Sequence, residues 1–224
     1  MYRFFDAVRI PCAALALIAT GAAPCAFAGE LAIRVLANNG SPLASAVVEV
    51  RNLTEQHKPA AAVDASMDQI DLAFAPDVLV VPVGSRIAFP NSDVVSHQVY
   101  SFSPARRFQL PLYRGKPYPP VQFDVPGLVT VGCNIHDNML GYLFVTDAPY
   151  YGRTTAAGMW SVASLPAGNY AVSVWHPRLR NLARPLVQNV SVSPADAHSE
   201  FVVRIGEPLR PQRMNGKRSA EDNY

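Results

Sequence analysis

Twenty prolines are spread along the 224 residues of this chain, and they restrict its fold more than any other feature. A proline inside a helix removes a backbone hydrogen bond and clashes with the preceding turn, so segments broken this often cannot build a mainly helical protein. Thirteen glycines add turn positions. Between the breaks, apolar residues alternate over short runs, the period of a strand with one face in a core. Half of the residues are hydrophobic and 16% are charged, a balance that argues against disorder. The formal net charge of +2 is no footprint for a polyanion, so no nucleic acid is expected as a partner.

Residues 1–28 read as an export signal. Arg3 and Arg9 precede an uncharged run over residues 12–28 that ends in Ala26-Phe27-Ala28. Small residues stand at both positions that a signal peptidase inspects, so cleavage is expected after Ala28. The run is short for a membrane anchor and is broken by Gly21 and Pro24. A lipoprotein reading through Cys25 is disfavoured, because Pro24 stands directly before it and an Ala-x-Ala site follows. No later stretch has the length to span a bilayer, so the exported chain is expected to be soluble, with no transmembrane segment.

The rest divides into blocks. Residues 29–60 open with alternation at Leu31, Ile33 and Val35, turn at Asn38-Asn39-Gly40, and continue as a strand over residues 46–50. Residues 52–71 are charged and alanine-rich and read as a surface connection, with a short helix within residues 61–67 left open. Residues 65–148 carry strand signals at 78–83, 86–89, 98–102, 121–123, 128–131 and 141–146, with a longer loop between Phe102 and Val121. Residues 150–206 add further strands, and residues 207–224 are polar and read as a flexible tail. Neither outer block makes a comfortable core alone. Together they make one small sandwich, interrupted by a second one over residues 65–148.

Cys12 and Cys25 leave with the signal, so Cys133 is the one thiol of the exported chain. In an oxidising compartment it has no internal disulfide partner and needs burial, an intermolecular partner or a metal. Its surroundings favour the metal. Cys133-Asn134-Ile135-His136-Asp137-Asn138-Met139 sets a thiol, an imidazole and a thioether three residues apart, between two predicted strands. His97, in Asn91-Ser92-Asp93-Val94-Val95-Ser96-His97, supplies a second imidazole just before another strand. Two imidazoles, a thiolate and a weak axial thioether are the ligand set of a blue-copper site. His97, Cys133, His136 and Met139 are therefore expected to hold one copper ion, as Cu(I) or Cu(II).

Three other readings of these residues compete with copper. Cys133 as an inert core thiol beside a space-filling Met139 is the plain alternative. Zinc is disfavoured because a thioether is a poor ligand for it. A cysteine protease would need a separated nucleophile, base and orienting group, which one short loop does not provide. Of the other histidines, His57 and His198 are expected in solvent and His176 in a loop hydrogen bond, while Met67 stays open as a second methionine near the site.

At these residues the chain resembles the cupredoxin-like proteins labelled methylamine utilization proteins in bacteria, whose core is similar to plastocyanin and, more closely, to amicyanin. The Cys133, His136 and Met139 spacing resembles the short copper loop of amicyanin, and residues 91–99 resemble the segment with its first histidine ligand. Val99-Tyr100-Ser101-Phe102-Ser103-Pro104-Ala105 and Gly132-Cys133-Asn134-Ile135-His136-Asp137 are similar to the methylamine-utilization group. The outer blocks resemble a carboxypeptidase regulatory-like domain, a transthyretin-like sandwich, at Gly40-Ser41-Pro42-Leu43 and Leu165-Pro166-Ala167-Gly168-Asn169-Tyr170. Two departures from the pattern stand out: Gln98 follows His97 where an asparagine is usual, and Asp137-Asn138 stand where apolar neighbours are usual.

The resemblance implies an all-β protein, with a cupredoxin-like Greek-key β-sandwich inserted in or packed beside a small transthyretin-like sandwich. It implies a type 1 copper protein carrying one electron at a time through the edge of His136. The export signal adds a periplasmic location, and the five histidines argue against a multicopper enzyme, so the chain is expected not to be an enzyme; a monomer is expected. The expected partner is a redox protein such as a dehydrogenase or a cytochrome. Arg106, Arg107, Arg114 and Lys116 would either steer an acidic partner or form an ordinary solvated loop. A copper carrier or assembly factor, and a structural or recognition module with a secondary copper site, stand as alternatives.

Overall fold

The computed structural model describes residues 28–55, 57–115, 117–193 and 197–203. The expected signal, apart from Ala28, and the expected tail lie outside the described residues. The described residues contain no helix and form strands throughout, in agreement with the all-β expectation. In chain order these are β1 (Ala28–Ala37), β2 (Val47–Asn52), β3 (Asp64–Ser66), β4 (Asp68–Ile70), β5 (Ala73–Ala75), β6 (Val78–Pro82), β7 (Ser85–Ala88), β8 (His97–Ser101) and β9 (Phe108–Tyr113). There follow β10 (Val121–Phe123), β11 (Gly127–Cys133), β12 (His136–Thr146), β13 (Tyr150–Arg153), β14 (Met159–Pro166), β15 (Gly168–Trp175), β16 (Leu186–Val192) and β17 (Ala197–Val203). No helix among the described residues is long and apolar enough to cross a membrane.

Two sheets, β14-β1-β17 and β13-β2-β15-β16, draw their strands from both ends of the chain. Their shared core includes Leu31, Ile33, Val35, Val48, Val50 and Tyr170. The alternation in β1 explains this, because Arg34 points away from that core and pairs with Glu200 while Ile33 and Val35 point in. The middle of the chain forms a five-stranded sheet, β6-β12-β11-β8-β9, and a three-stranded sheet, β10-β7-β3, around a second core that includes Met67, Phe89, Phe123, Val131 and Leu143. The β4–β5 hairpin is a separate small sheet.

β12 joins the two cores. Leu143 and Val145 enter the middle core, while the alternate residues Tyr142 and Phe144 turn to Val47, Val78 and Trp175 on the other side. The Trp175 ring lies 5.6 Å from each of the Tyr142 and Phe144 rings, and its indole N–H donates to the Leu182 carbonyl at 2.9 Å. Burial on both faces explains why this strand reads as a continuous apolar run rather than an alternating one. Glu49 is buried at the same junction. It accepts from the Thr146 hydroxyl and pairs with Arg51, which also reaches Asp147, so its charge is matched rather than stranded.

Two segments differ from their sequence reading. Residues 61–67 form no helix; β3 runs there instead, parallel to β7. The expected loop between Phe102 and Val121 contains β9, which pairs with β8. Pro111 obscures that strand in the sequence. Its missing N–H is tolerated because β9 is the edge of the five-stranded sheet, where one side of the strand needs no donors.

Candidate metal centre

β11 and β12 are joined by the two-residue turn Asn134-Ile135, so Cys133 and His136 are the last cross-strand pair of the hairpin. The ladder therefore runs further than the sequence indicated, because the polar, exposed Asp137 and Asn138 at the start of β12 hide its alternation. A register shift between Gly132 and Cys133 closes the hairpin end. β8 lies on the other side of β11, with Tyr100 opposite Gly132, and its first residue His97 reaches the same sheet end. A Cβ at position 132 would press on the Tyr100 ring at 3.2 Å, so glycine allows this close approach.

Three donor atoms converge there. His97 Nδ1 and His136 Nδ1 are 3.1 Å apart, and Cys133 Sγ is 3.4 Å from His136 Nδ1 and 3.8 Å from His97 Nδ1. The point equidistant from all three lies about 2.0 Å from each, near the ~2.0–2.3 Å at which imidazole nitrogen and thiolate sulfur hold a transition-metal ion. These residues form the group among the described residues whose donor atoms could together hold a metal ion. His97 and Cys133 are buried and His136 is half-buried. Met139 is buried in the core cluster that contains Cys133, and so is Met67. Two imidazoles and a thiolate are borderline and soft donors, which suit copper better than a hard cation.

The surroundings prepare the donors. Burial pushes the Cys133 thiol up, but hydrogen bonds from His97, from the Gln98 and Ile135 amides and from His136 outweigh it and bring the thiol down to about 6. The result is a thiolate at neutral pH, the form that binds metal. Burial works against a charged His97, while Cys133 and Asp93 beside it raise its pKa above the ordinary value. Asn91 ties the segment before His97 to the sheet, since its Nδ2 donates to the Val95 carbonyl at 3.0 Å and the Tyr113 carbonyl at 2.9 Å.

No protein-family model and no curated protein matches the chain. Among solved structures it is similar to a purple cupredoxin from Nitrosopumilus maritimus, at 22% identity and a TM-score of 0.34 over 37% of this chain and 100% of that one. It is also similar to a reduced amicyanin variant, at 19% identity and a TM-score of 0.34 over 44% of this chain and 99% of that one. A copper-containing nitrite reductase from Thermus scotoductus SA-01 shares 24% identity, with a TM-score of 0.35 over 43% of this chain. The chain spans a quarter of that enzyme's length, 25%. These are similarities of fold over part of the chain.

The remaining candidates fall away from the cluster. His57 is not simply solvated, because its Nε2 meets the Asn52 backbone N–H at 2.8 Å. His176 sits in a loop hydrogen bond, as expected, with the Arg178 N–H donating to its Nδ1 at 3.1 Å. The side chain of His198 lies outside the described residues. Arg107 and Arg114 are exposed, Arg106 is half-buried, and Lys116 lies outside the described residues. One residue at the centre was missed by the sequence reading: Asp93, whose Oδ2 lies 3.1 Å from His97 Nε2. The signal available was a carboxylate four positions before a candidate ligand.

Proposed function

We propose that the protein is a periplasmic type 1 copper protein that carries single electrons, with His97, Cys133 and His136 as its strong ligands and Met139 as the weak axial one. The observation behind this reading is the convergence of two imidazole nitrogens and one thiolate sulfur within 3.8 Å, in a core lined by buried methionine. Copper at these donors supplies a one-electron couple between Cu(I) and Cu(II). The chain supplies the rest. Cys133 is held as a thiolate. His97 and Cys133 are buried, which limits the access of water to these donors, and Met139 is buried as well. The paired ends of β11, β12 and β8 limit how far the donors move between the two states.

The half-buried edge of His136 is where an electron would enter and leave. Ile135 beside it and Val94 beside Asp93 are exposed, an apolar surface suited to a brief encounter with a redox protein such as a dehydrogenase or a cytochrome. Exposed Arg107 and Arg114 would favour an acidic partner. In the same reading, residues 1–28 are removed after Ala28, residues 65–148 are the copper domain, and residues 29–60 with 150–206 form a carboxypeptidase regulatory-like sandwich that serves structure or recognition. The protein acts as a monomer and belongs with the methylamine-utilization group.

The test is copper loading of purified protein followed by visible absorption and voltammetry. An intense visible band and a reversible one-electron couple are expected. Copper that is passed readily to a chelator, with no reversible couple, would overturn electron transfer in favour of copper delivery.

A further inference from the structure

Three hydrogen bonds fix Asp93 in its loop. Its Oδ1 accepts from the Val94 N–H at 2.8 Å, its Oδ2 accepts from the Leu72 N–H at 2.8 Å, and its own N–H donates to Asn91 Oδ1 at 3.0 Å. Its side chain is only 10% exposed, and its Oδ2 faces the Nε2 of the fully buried His97. The Leu72 amide comes from an unusual place. Asp71 and Leu72 are the two turn residues of the β4–β5 hairpin, and both have positive φ, 52° and 60°. A two-residue hairpin turn needs this conformation, but it is ordinarily met by Asn-Gly or Gly-Gly. A leucine there is strained, and such strain persists where the surroundings fix it. Here the strained amide is spent on the Asp93 carboxylate.

A neutral imidazole carries its proton on one nitrogen only. His97 meets an acceptor at each nitrogen, the Asp93 carboxylate 3.1 Å from Nε2 and the Cys133 sulfur 3.8 Å from Nδ1, and the shorter contact places the proton of the neutral ring on Nε2. Nδ1 is then left with its lone pair turned toward Cys133 and His136. Partners of this kind fix the tautomer and orientation of metal-binding histidines, and their loss commonly costs 10–100-fold in metal affinity.

We propose that Asp93, braced by the Asp71-Leu72 turn, is the positioning residue of the metal centre: it holds His97 as the Nε2–H tautomer with Nδ1 free, and its charge favours the oxidised ion. This rests on the copper reading, so the test separates the two. In metal-free protein in alkaline buffer, nitrogen-15 NMR of the imidazoles should show His97 as a single Nε2–H tautomer. Asp93→Ala should give a mixture, and Asp93→Asn, which keeps an acceptor oxygen, should restore the single form. Titrated with copper sulfate, Asp93→Ala should bind Cu(II) at least tenfold more weakly than the wild type. Asp93→Asn should keep the visible band but lose at least tenfold more Cu(II) than Cu(I) affinity, a rise in reduction potential of about 59 mV for one electron.

An Asp93→Ala protein with the wild-type tautomer and the wild-type Cu(II) affinity overturns the role of Asp93 while leaving the copper reading intact. If Asp93→Ala does not fold, an unchanged potential in Asp93→Asn overturns it instead. A wild-type protein that takes up no Cu(II) overturns the copper reading, and the tautomer measurement then still decides whether Asp93 orients His97.

Discussion

His176 should make the whole fold sensitive to mild acid, independently of the metal centre. It lies just after β15 and is 6% exposed. Its Nδ1 accepts the Arg178 N–H at 3.1 Å, so protonation of the ring breaks that bond. Burial, together with the nearby Arg178 charge, pulls the imidazole down to about 4, against a smaller opposing contribution from a hydrogen bond with the Ala44 backbone. In the unfolded chain the same ring titrates near 6.5. Between these values the unfolded state binds a proton that the folded state refuses. Stability is therefore fully present above pH 6.5 and drains away as pH falls toward 4. For these two pKa values, lowering the pH from about 7.5 to about 4.5 should remove roughly 2.5 kcal/mol through this residue alone. The assay is urea unfolding of the wild type and of His176→Asn at both pH values. Asparagine keeps an acceptor for the Arg178 amide but does not titrate, and the difference between the two pH responses removes every other group. A difference below about 0.5 kcal/mol would show that His176 is not held neutral by the fold, and the reasoning from burial would be refuted.

Three further outcomes follow from the same structure. Cys133→Ser should abolish the intense visible band of copper-loaded protein, because no thiolate is left to donate charge to Cu(II), while the fold survives; absorption and circular dichroism check the two halves. Met139→Leu keeps the apolar volume, so an axial Met139 predicts a raised reduction potential and an altered Cu(II) paramagnetic resonance spectrum, whereas a space-filling Met139 predicts neither. Trp175→Ala should cost roughly 3–5 kcal/mol in denaturant unfolding, because the ring fills the junction between Tyr142 and Phe144 and cannot be replaced by collapse of either rigid sheet.

What could be read in the sequence depended on whether a residue's role is local. The alternation of Leu31, Ile33 and Val35 needs one buried face and announces itself, as does the isolation of Cys133 three positions before His136. β9 did not, because Pro111 breaks the pattern and its tolerance depends on an edge position that only the assembled sheet defines. The polar start of β12 did not, because Asp137 and Asn138 are exposed on a strand whose pairing extends past the core. Asp93 was on the page in the segment before His97, but nothing local says that the Leu72 amide, 21 residues earlier in the chain, fixes its carboxylate.

These failures share a cause that bears on the chemistry. The centre stands at one end of the five-stranded sheet, where side chains are no longer governed by alternation between two packed faces. Each donor is held there by something outside its own strand: Cys133 and His136 by a two-residue turn, His97 by Asp93, and Asp93 by the β4–β5 hairpin. A thiolate and two imidazole nitrogens crowded within 3.8 Å repel one another unless protons or a cation lie between them. In the metal-free fold that compensation comes from the hydrogen bonds of His97 and His136 to the Cys133 thiolate, while the hairpin and the Asp93 brace hold the donors in place. A cation then binds donors that the folded chain has already gathered, and little of the binding energy is spent on assembling them.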